Sequence, residues 1–255
     1  MDYTPKNQFA MKITGLSPFN PAKWKSKADI PPQFCRHEQP IFRHLLWRRA
    51  CNMNTILLIV GGVRTGKSYA GLKISEKYSK LVGKPYDVQK QCSFDIKPCL
   101  EWSIANNDNV FMLDEVGVSL NPQEWYTNQA KIFRNFTQTQ GFRGNLLILV
   151  LPNVAFLLKA VRFMCNYVIA TRSQGSAVLY KLVMNHVLGK GYPMPIGGMK
   201  ISLPSPATIA AYEHIKQPWN DAKLRVDLND LDGNAGKRTE TTEKYDPWAG
   251  MRPEI

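Results

Sequence analysis

The residues that could do chemistry fall in two short segments, and the first is a glycine-rich loop. Residues 61–68 (GGVRTGKS) match the pattern G-x4-G-K-[ST], and the apolar, β-branched run Thr55–Val60 precedes them. Glycines allow successive backbone N–H groups to turn toward one point, and a following helix adds the positive end of its dipole. The pattern therefore predicts a phosphate-binding loop made of Gly61, Gly62, Val63, Arg64, Thr65, Gly66, Lys67, Ser68 and Tyr69.

Two side chains of this loop have predicted roles of their own. The Lys67 ammonium is expected to reach the β- and γ-phosphates of ATP, and the Ser68 hydroxyl to ligate Mg²⁺. The alternative is a glycine turn that binds nothing. A buried strand before the loop and a helix after it favour phosphate binding. ATP and Mg²⁺ are therefore the predicted cofactors.

The second segment is a hydrophobic strand that ends in two carboxylates, Val110–Leu113 followed by Asp114 and Glu115. Adjacent charges beside such a strand need a reason, because unpaired burial is costly. We expect Asp114 to hold Mg²⁺ through a water and Glu115 to orient and deprotonate the water that attacks the γ-phosphate. The alternative is an exposed Asp-Glu turn. A Glu directly after the Asp favours hydrolysis over phosphate transfer to a small molecule.

Candidates for sensing the γ-phosphate lie near the apolar run 146–151. Asn153 follows this run, where it could contact the γ-phosphate or simply cap a helix; Gln138 and Gln140 are weaker candidates. Arg143 precedes the run and is a candidate arginine finger for a neighbouring subunit's nucleotide. Solvated or DNA-facing side chains are the alternative for Arg143, and Arg134 and Arg162 are equally ambiguous.

The elements that must position these residues alternate between strand and helix. Periodicity and capping signals predict strands at 55–60, 110–113, 146–151 and 167–171, with helices at 41–52, 68–81, 122–138 and 153–163. Further strands are predicted at 178–187 and 199–203, and a helix at 206–216. Alternation of this kind predicts an α/β fold with a mostly parallel sheet sandwiched by helices, plus a small C-terminal β-hairpin and helix.

Composition predicts three regions. Residues 1–40 form an irregular basic N-terminal extension, residues 41–220 the P-loop domain, and residues 221–255 a polar, flexible C-terminal tail. The five cysteines are scattered, which favours a reducing compartment. We find neither a membrane span nor a secretory signal, so we expect a cytoplasmic protein without direct membrane insertion.

The charge of the chain suggests a polyanionic partner. The formal net charge is +13, with Lys+Arg 33 against Asp+Glu 20. Residues 51–115 are nearly balanced at eight basic and seven acidic, whereas residues 116–220 carry ten basic and two acidic residues. Basic surfaces bind nucleic acid, although simple solubility is the alternative. Aromatic residues among these charges either stack on bases or pack in the core: Trp125, Tyr126, Phe133, Phe136 and Phe142.

These motifs, in this order, resemble the HerA–FtsK group of P-loop ATPases. Within the group, the chain is similar to the zonula occludens toxin-like and filamentous-phage assembly ATPases, which are frequent in archaea and mobile elements. The resemblance runs from Asn52 to Arg172 and includes FMLDEVGVSLNPQEW and the block around Arg143 and Arg162. Members often carry Gln where this chain has Pro152-Asn153, and toxin-like members usually have a membrane segment that is not seen here.

The resemblance implies a RecA-like core, a homo-oligomer that forms a hexameric ring, and ATP-driven translocation, packaging or export of DNA. The alternative is a nucleotide-gated DNA-binding or assembly scaffold with slow hydrolysis. A metabolic P-loop kinase is a third possibility, against which the Asp114-Glu115 pair and the basic surface both count. Single- and double-stranded DNA remain equally open as partners.

Overall fold

The computed structural model describes residues 40–116, 128–139, 143–185 and 190–235. Seven strands form one sheet in the order β2-β3-β4-β1-β5-β6-β7. Their bounds are β1 Thr55–Val60, β2 Cys92–Ser93, β3 Val110–Leu113, β4 Leu146–Leu151, β5 Tyr167–Ser173, β6 Ser176–Asn185 and β7 Lys190–Lys200. Strands β1 to β5 pair in parallel, and β6 and β7 extend the sheet antiparallel.

Seven helices accompany the strands in the described part of the chain. Helix α1 spans Pro40–Ala50, α2 Lys67–Val82, α3 Val88–Gln91 and α4 Ile96–Ala105. Helix α5 spans Asn128–Thr139, α6 Lys159–Met164 and α7 Pro206–Ala235. A short 3-10 turn at Val154–Phe156 precedes α6. No described helix combines the length and apolar character that crossing a membrane requires.

The strands of the parallel region bury both faces, which explains their continuous apolar sequences. On one face, alternate residues such as Leu58, Phe111 and Leu149 join a cluster with residues of α4, α5 and α6. On the other face α2 lies so close that a Cβ added at Gly71 would stand 2.9 Å from Met112 Sδ and 3.3 Å from Val150 Cγ2. Helices therefore cover both faces, and the predicted α/β, RecA-like fold class with a C-terminal hairpin and helix is confirmed.

Several boundaries differ from the predictions. The predicted helix at 153–163 is wrong as one element, because Leu157 and Leu158 turn into the core between the 3-10 turn and α6. The strand predicted at 199–203 instead begins at Lys190 and ends at Lys200. The region 88–105 contains α3, β2 and α4, for which the sequence analysis made no prediction.

The C-terminal helix is longer than predicted. Helix α7 continues past residue 216 to Ala235, so residues 221–235 of the predicted tail are helical. The chain divides into two compact units after Tyr212. The described residues of the second unit, 213–235, belong to α7. The extension 1–39, residues 122–127 of the predicted helix 122–138, Gln140, and the tail from 236 lie outside the described residues.

The contact between α2 and the sheet gives a stability prediction. We expect Gly71→Val to lower the free energy of unfolding by about 1–3 kcal/mol, because the new side chain would overpack the buried Met112. The same substitution at Gly197, where an added Cβ meets nothing within 4 Å, is the matched control. Denaturant unfolding of both variants tests this, and equal midpoints for Gly71→Val and wild type would contradict the close packing.

Candidate nucleotide-binding site

The glycine-rich loop joins the carboxyl end of β1 to the first turn of α2. Gly66 occupies the N-cap position in the left-handed region, with φ 85°, and α2 has no acidic residue in its first turn. Arg64 also has a positive φ, of 61°. The backbone therefore turns sharply just before a helix N-terminus whose first N–H groups lack intrahelical partners. Such an end binds anions, and phosphate is the expected ligand.

Strand β5 supports this loop from the side. Thr171, near the end of β5, donates a hydrogen bond to the Val60 carbonyl at 3.1 Å, and its Oγ1 lies 2.7 Å from Thr65 Oγ1. Thr65 in turn donates to the Gly62 carbonyl at 2.9 Å. A Cβ added at Gly61 would collide with Thr171 Oγ1, so only glycine fits there. No sequence pattern marks Thr171, because its contact with the loop depends on β5 lying beside β1.

The Lys67 side chain folds back over the glycines at the start of the loop. Its Nζ donates a hydrogen bond of 2.6 Å to the Gly62 carbonyl. A phosphate oxygen would offer this ammonium a charged acceptor, which makes a stronger hydrogen bond than a neutral carbonyl. The lysine is thus held where an anion bound by the loop would reach it.

The two carboxylates differ sharply in their surroundings. The Asp114 side chain is buried, with 1% of the residue exposed, and its Oδ1 accepts the Glu115 backbone N–H at 2.9 Å. Its Oδ2 accepts a hydrogen bond from the Tyr212 hydroxyl. Glu115 is half-buried and has φ 52°, a left-handed conformation that costs a non-glycine residue on the order of 1 kcal/mol. The chain therefore turns abruptly at the predicted catalytic residue.

Tyr212, on the first part of α7, is a site residue that the sequence analysis missed. Its ring packs near those of Tyr69 and Phe94, with centroids 6.4 and 6.1 Å away. Its hydroxyl hydrogen bonds with the side chains of Asp114 and Ser68. Burial raises the pKa of Tyr212 well above its usual range, and the Asp114 charge raises it further, so the phenol stays protonated. Only its position in the fold identifies Tyr212, because no motif or residue spacing distinguishes it from other tyrosines in helices.

The oxygens of Ser68 and Asp114 fit a magnesium ion. Both side chains interact with the Tyr212 hydroxyl, so they lie near each other. The described residues contain no cluster of three or more His, Cys, Asp or Glu able to hold a metal. Magnesium is commonly bound by one or two carboxylates, with substrate phosphates and waters completing its coordination. One carboxylate and one hydroxyl beside a phosphate-binding loop match that donor set.

Asn153 lies beyond the carboxyl end of β4, close to the loop. The carbonyl of the preceding Pro152 accepts the Gly61 backbone N–H at 3.2 Å. The Asn153 Oδ1 accepts the Ala155 N–H at 2.9 Å, so this exposed residue caps the 3-10 turn. Capping uses the amide oxygen, whereas a phosphate contact would use the amide N–H groups. The two roles predicted for Asn153 are therefore compatible.

The arginine candidates lie elsewhere. Arg143 precedes β4, at the edge of the sheet opposite the loop, and its guanidinium donates to the Ile104 carbonyl at 2.7 Å and to Asn107 Oδ1 at 3.1 Å. A finger role in a neighbouring subunit would require Arg143 to leave these bonds. Arg134 is exposed on α5 and Arg162 half-buried on α6. The described aromatic candidates Phe133 and Phe136 pack on each other, and Phe133 is buried in the core.

Solved structures with a similar fold include the genome packaging NTPase B204 from Sulfolobus turreted icosahedral virus 2. In complex with AMPPCP it is 13% identical with a TM-score of 0.38, covering 55% of this chain and 96% of that chain. Its complex with ATP-gammaS is 15% identical with a TM-score of 0.35 and the same coverage.

A third similar structure is the N-terminal domain of zonular occludens toxin from Neisseria meningitidis. It is 13% identical with a TM-score of 0.35, covering 63% of this chain and 91% of that chain. This domain carries the name of the branch that the sequence resembles. Neither a family model nor a curated protein sequence matches the chain.

The support that β5 gives the loop leads to a binding prediction. We expect Thr171→Val to weaken nucleotide binding by about 5- to 30-fold, the equivalent of the 1–2 kcal/mol that the lost hydrogen bonds contribute. Thr137→Val is the matched control, because that hydroxyl bonds only the Arg134 carbonyl within α5 among the described contacts. Equilibrium titration with a fluorescent ATP analogue measures both. Equal affinity in Thr171→Val and wild type would show that the loop does not need this support.

Proposed function

We propose that this chain is a magnesium-dependent ATPase that translocates, packages or exports DNA. The observation that carries the proposal is the placement of Asp114 and Glu115 at the same sheet edge as the phosphate-binding loop, with one strand, β4, between them. Neighbouring strands are about 4.8 Å apart, so β1 and β3 are separated by roughly 10 Å. That gap leaves room for a γ-phosphate and a water between the loop and the carboxylates.

The residues of this edge divide the proposed reaction among them. The loop N–H groups and the Lys67 ammonium would hold the β- and γ-phosphates of ATP. Ser68 and Asp114 would hold Mg²⁺, which when bound neutralises charge on the phosphates. Glu115 would orient the attacking water and accept its proton, and the Asn153 amide would position the γ-phosphate or that water. In an assembled ring, Arg143 remains a candidate to act on the neighbouring subunit's nucleotide.

The second half of the core supports DNA as the partner. No aspartate or glutamate occurs between Glu124 and Glu213, while basic residues recur throughout that stretch. Those that are exposed in the described part are Lys131, Arg134, Lys159, Arg172, Lys181 and Lys200. Exposed cations attract the phosphate backbone of DNA without reading its sequence, as a translocating protein requires.

The first test addresses hydrolysis. We expect Glu115→Gln to reduce the ATPase rate by about 10²- to 10⁴-fold, because it removes the proton acceptor while keeping side-chain size. ATP binding should persist, whereas Lys67→Ala should weaken binding as well. Glu101→Gln on α4, which loses only an exposed pairing with Lys97, is the control. ATP hydrolysis rates are measured with and without DNA. If the wild-type protein hydrolyses no ATP at any DNA concentration, the motor proposal is wrong.

DNA binding measured on the same variants distinguishes the motor from the nucleotide-gated scaffold. An ATP-dependent, salt-sensitive association with DNA that needs no turnover would identify the nucleotide-gated scaffold instead. The mass of the oligomer with bound nucleotide, determined on the same samples, tests the proposed hexameric ring.

The second test addresses the DNA surface. We expect Lys181→Glu on β6 to weaken DNA binding and to reduce its salt dependence by about one unit of slope per lost phosphate contact. Basal ATP hydrolysis should remain unchanged. Lys97→Glu, an equal charge change on the exposed face of α4 in the nearly neutral segment, is the control. Fluorescence anisotropy over a series of salt concentrations measures both, and an equal loss in the two variants would contradict a localised DNA surface.

A further inference from the structure

The hydroxyl of Tyr212 occupies a position that the proposed reaction leaves without a role. It donates a hydrogen bond to Asp114 Oδ2 and bonds with the Ser68 side chain. These are the two residues whose oxygens fit Mg²⁺. Tyr212 and Asp114 are each only 1% exposed. The phenol therefore connects the glycine-rich loop to the end of β3 in a region that water does not readily enter.

The position of this hydroxyl is fixed relative to α2, which begins with Lys67 and Ser68. Just before α7, the Ser205 backbone N–H donates to Glu76 Oε1 at 3.3 Å, and the Thr208 hydroxyl donates to the same oxygen at 3.3 Å. Glu76 belongs to α2, and its hydrogen bonds with Ser205 and Lys73 outweigh burial and lower its pKa. The carboxylate thus stays charged and ties the start of α7 to α2.

The order of hydrogen bonds has a chemical consequence for Ser68. A hydroxyl that ligates a cation must present a lone pair to the cation and give its hydrogen to another acceptor. The Tyr212 oxygen can accept the Ser68 hydrogen, since the phenol gives its own hydrogen to Asp114. The buried carboxylate accepts in turn, and removal of the phenol hydrogen would leave its Oδ2 without that donor. A single hydroxyl thereby orients both proposed magnesium ligands.

We propose that Tyr212 is a positioning residue for the magnesium site, whose hydroxyl orients Ser68 and Asp114 toward the cation. This inference rests on the proposed function, because it assumes that the site binds magnesium with ATP. It extends that proposal by adding a residue from outside the two sequence motifs. Groups that orient metal ligands in this way typically contribute about 10- to 100-fold to metal affinity.

The test compares Tyr212→Phe with wild type in the full chain. The substitution removes only the hydroxyl and keeps the ring that packs on Tyr69 and Phe94. A fluorescent ATP analogue is bound first in EDTA and then titrated with Mg²⁺. We expect unchanged affinity for the analogue in EDTA and an apparent Mg²⁺ affinity weaker by about 10- to 100-fold. Tyr180→Phe on β6, away from the loop, is the matched control and should behave as wild type.

A second variant covers the case in which Tyr212→Phe does not fold. Thr208→Val leaves Tyr212 intact but removes one of the two hydrogen bonds that tie α7 to Glu76. It should weaken the Mg²⁺ affinity in the same direction, by a smaller factor. Hydrolysis in these variants should recover at high Mg²⁺ concentration, whereas a general loss of structure would not be rescued by the cation.

Two results would overturn the inference. Equal Mg²⁺ affinity in wild type, Tyr212→Phe and Thr208→Val would show that the hydroxyl orients nothing that the cation requires. Tighter Mg²⁺ binding in Tyr212→Phe would show that the hydroxyl competes with the cation. Neither result depends on DNA or on turnover, so a protein that binds Mg²⁺ and nucleotide but fails the motor tests still tests the role of Tyr212.

Discussion

Strand β1 pairs in parallel with β4 on one side and β5 on the other, which brings Val60, Leu151 and Ala170 into one row across the sheet. The segments that follow these three residues form the candidate site. The glycine-rich loop follows β1, Asn153 follows β4, and Thr171 comes directly after Ala170 in β5. A shift of one residue would exchange the side chains that pack against α2 with those that pack against α4, α5 and α6, and would move the site residues out of line.

Two residues at the same edge of the sheet have backbone conformations that cost free energy. Among the described residues, four non-glycine residues have positive φ, and two of them, Arg64 and Glu115, lie in the proposed motifs. The Asp114 carboxylate is buried as well, at a cost that its hydrogen bonds from Tyr212 and Glu115 offset. Close packing of the surrounding strands over-determines the backbone there.

Sequence patterns predicted the central strands well and the peripheral elements poorly. The bounds of β1, β3 and β4 match the predictions residue for residue, because each is a short, largely apolar run bounded by polar, glycine or proline residues. Strand β2 has only two residues, too few for any periodicity. Strand β7 contains Pro193 and Pro195, which argue against a strand in sequence but are compatible with a sheet edge, where the missing N–H is tolerated.

The site shows the same division between local and long-range information. The glycine-rich loop and the Asp114-Glu115 pair are local motifs, so residue types and spacing sufficed to find them. Thr171 contacts Thr65 across 106 residues of sequence, and Tyr212 contacts Asp114 across 98 residues. Nothing near them in sequence marks them, because their roles follow from strand order and from the anchoring of α7 to α2.

The contrast between Asp114 and Glu115 explains how two adjacent carboxylates can have different roles. Asp114 is buried, and both of its oxygens accept hydrogen bonds from fixed donors, so it is poorly placed to take a proton from water. Glu115 is more accessible, and its left-handed backbone turns the chain away from the strand direction of β3. The two environments thus differ in the way that the proposed roles require, with Asp114 as the proposed cation ligand and Glu115 as the proposed proton acceptor.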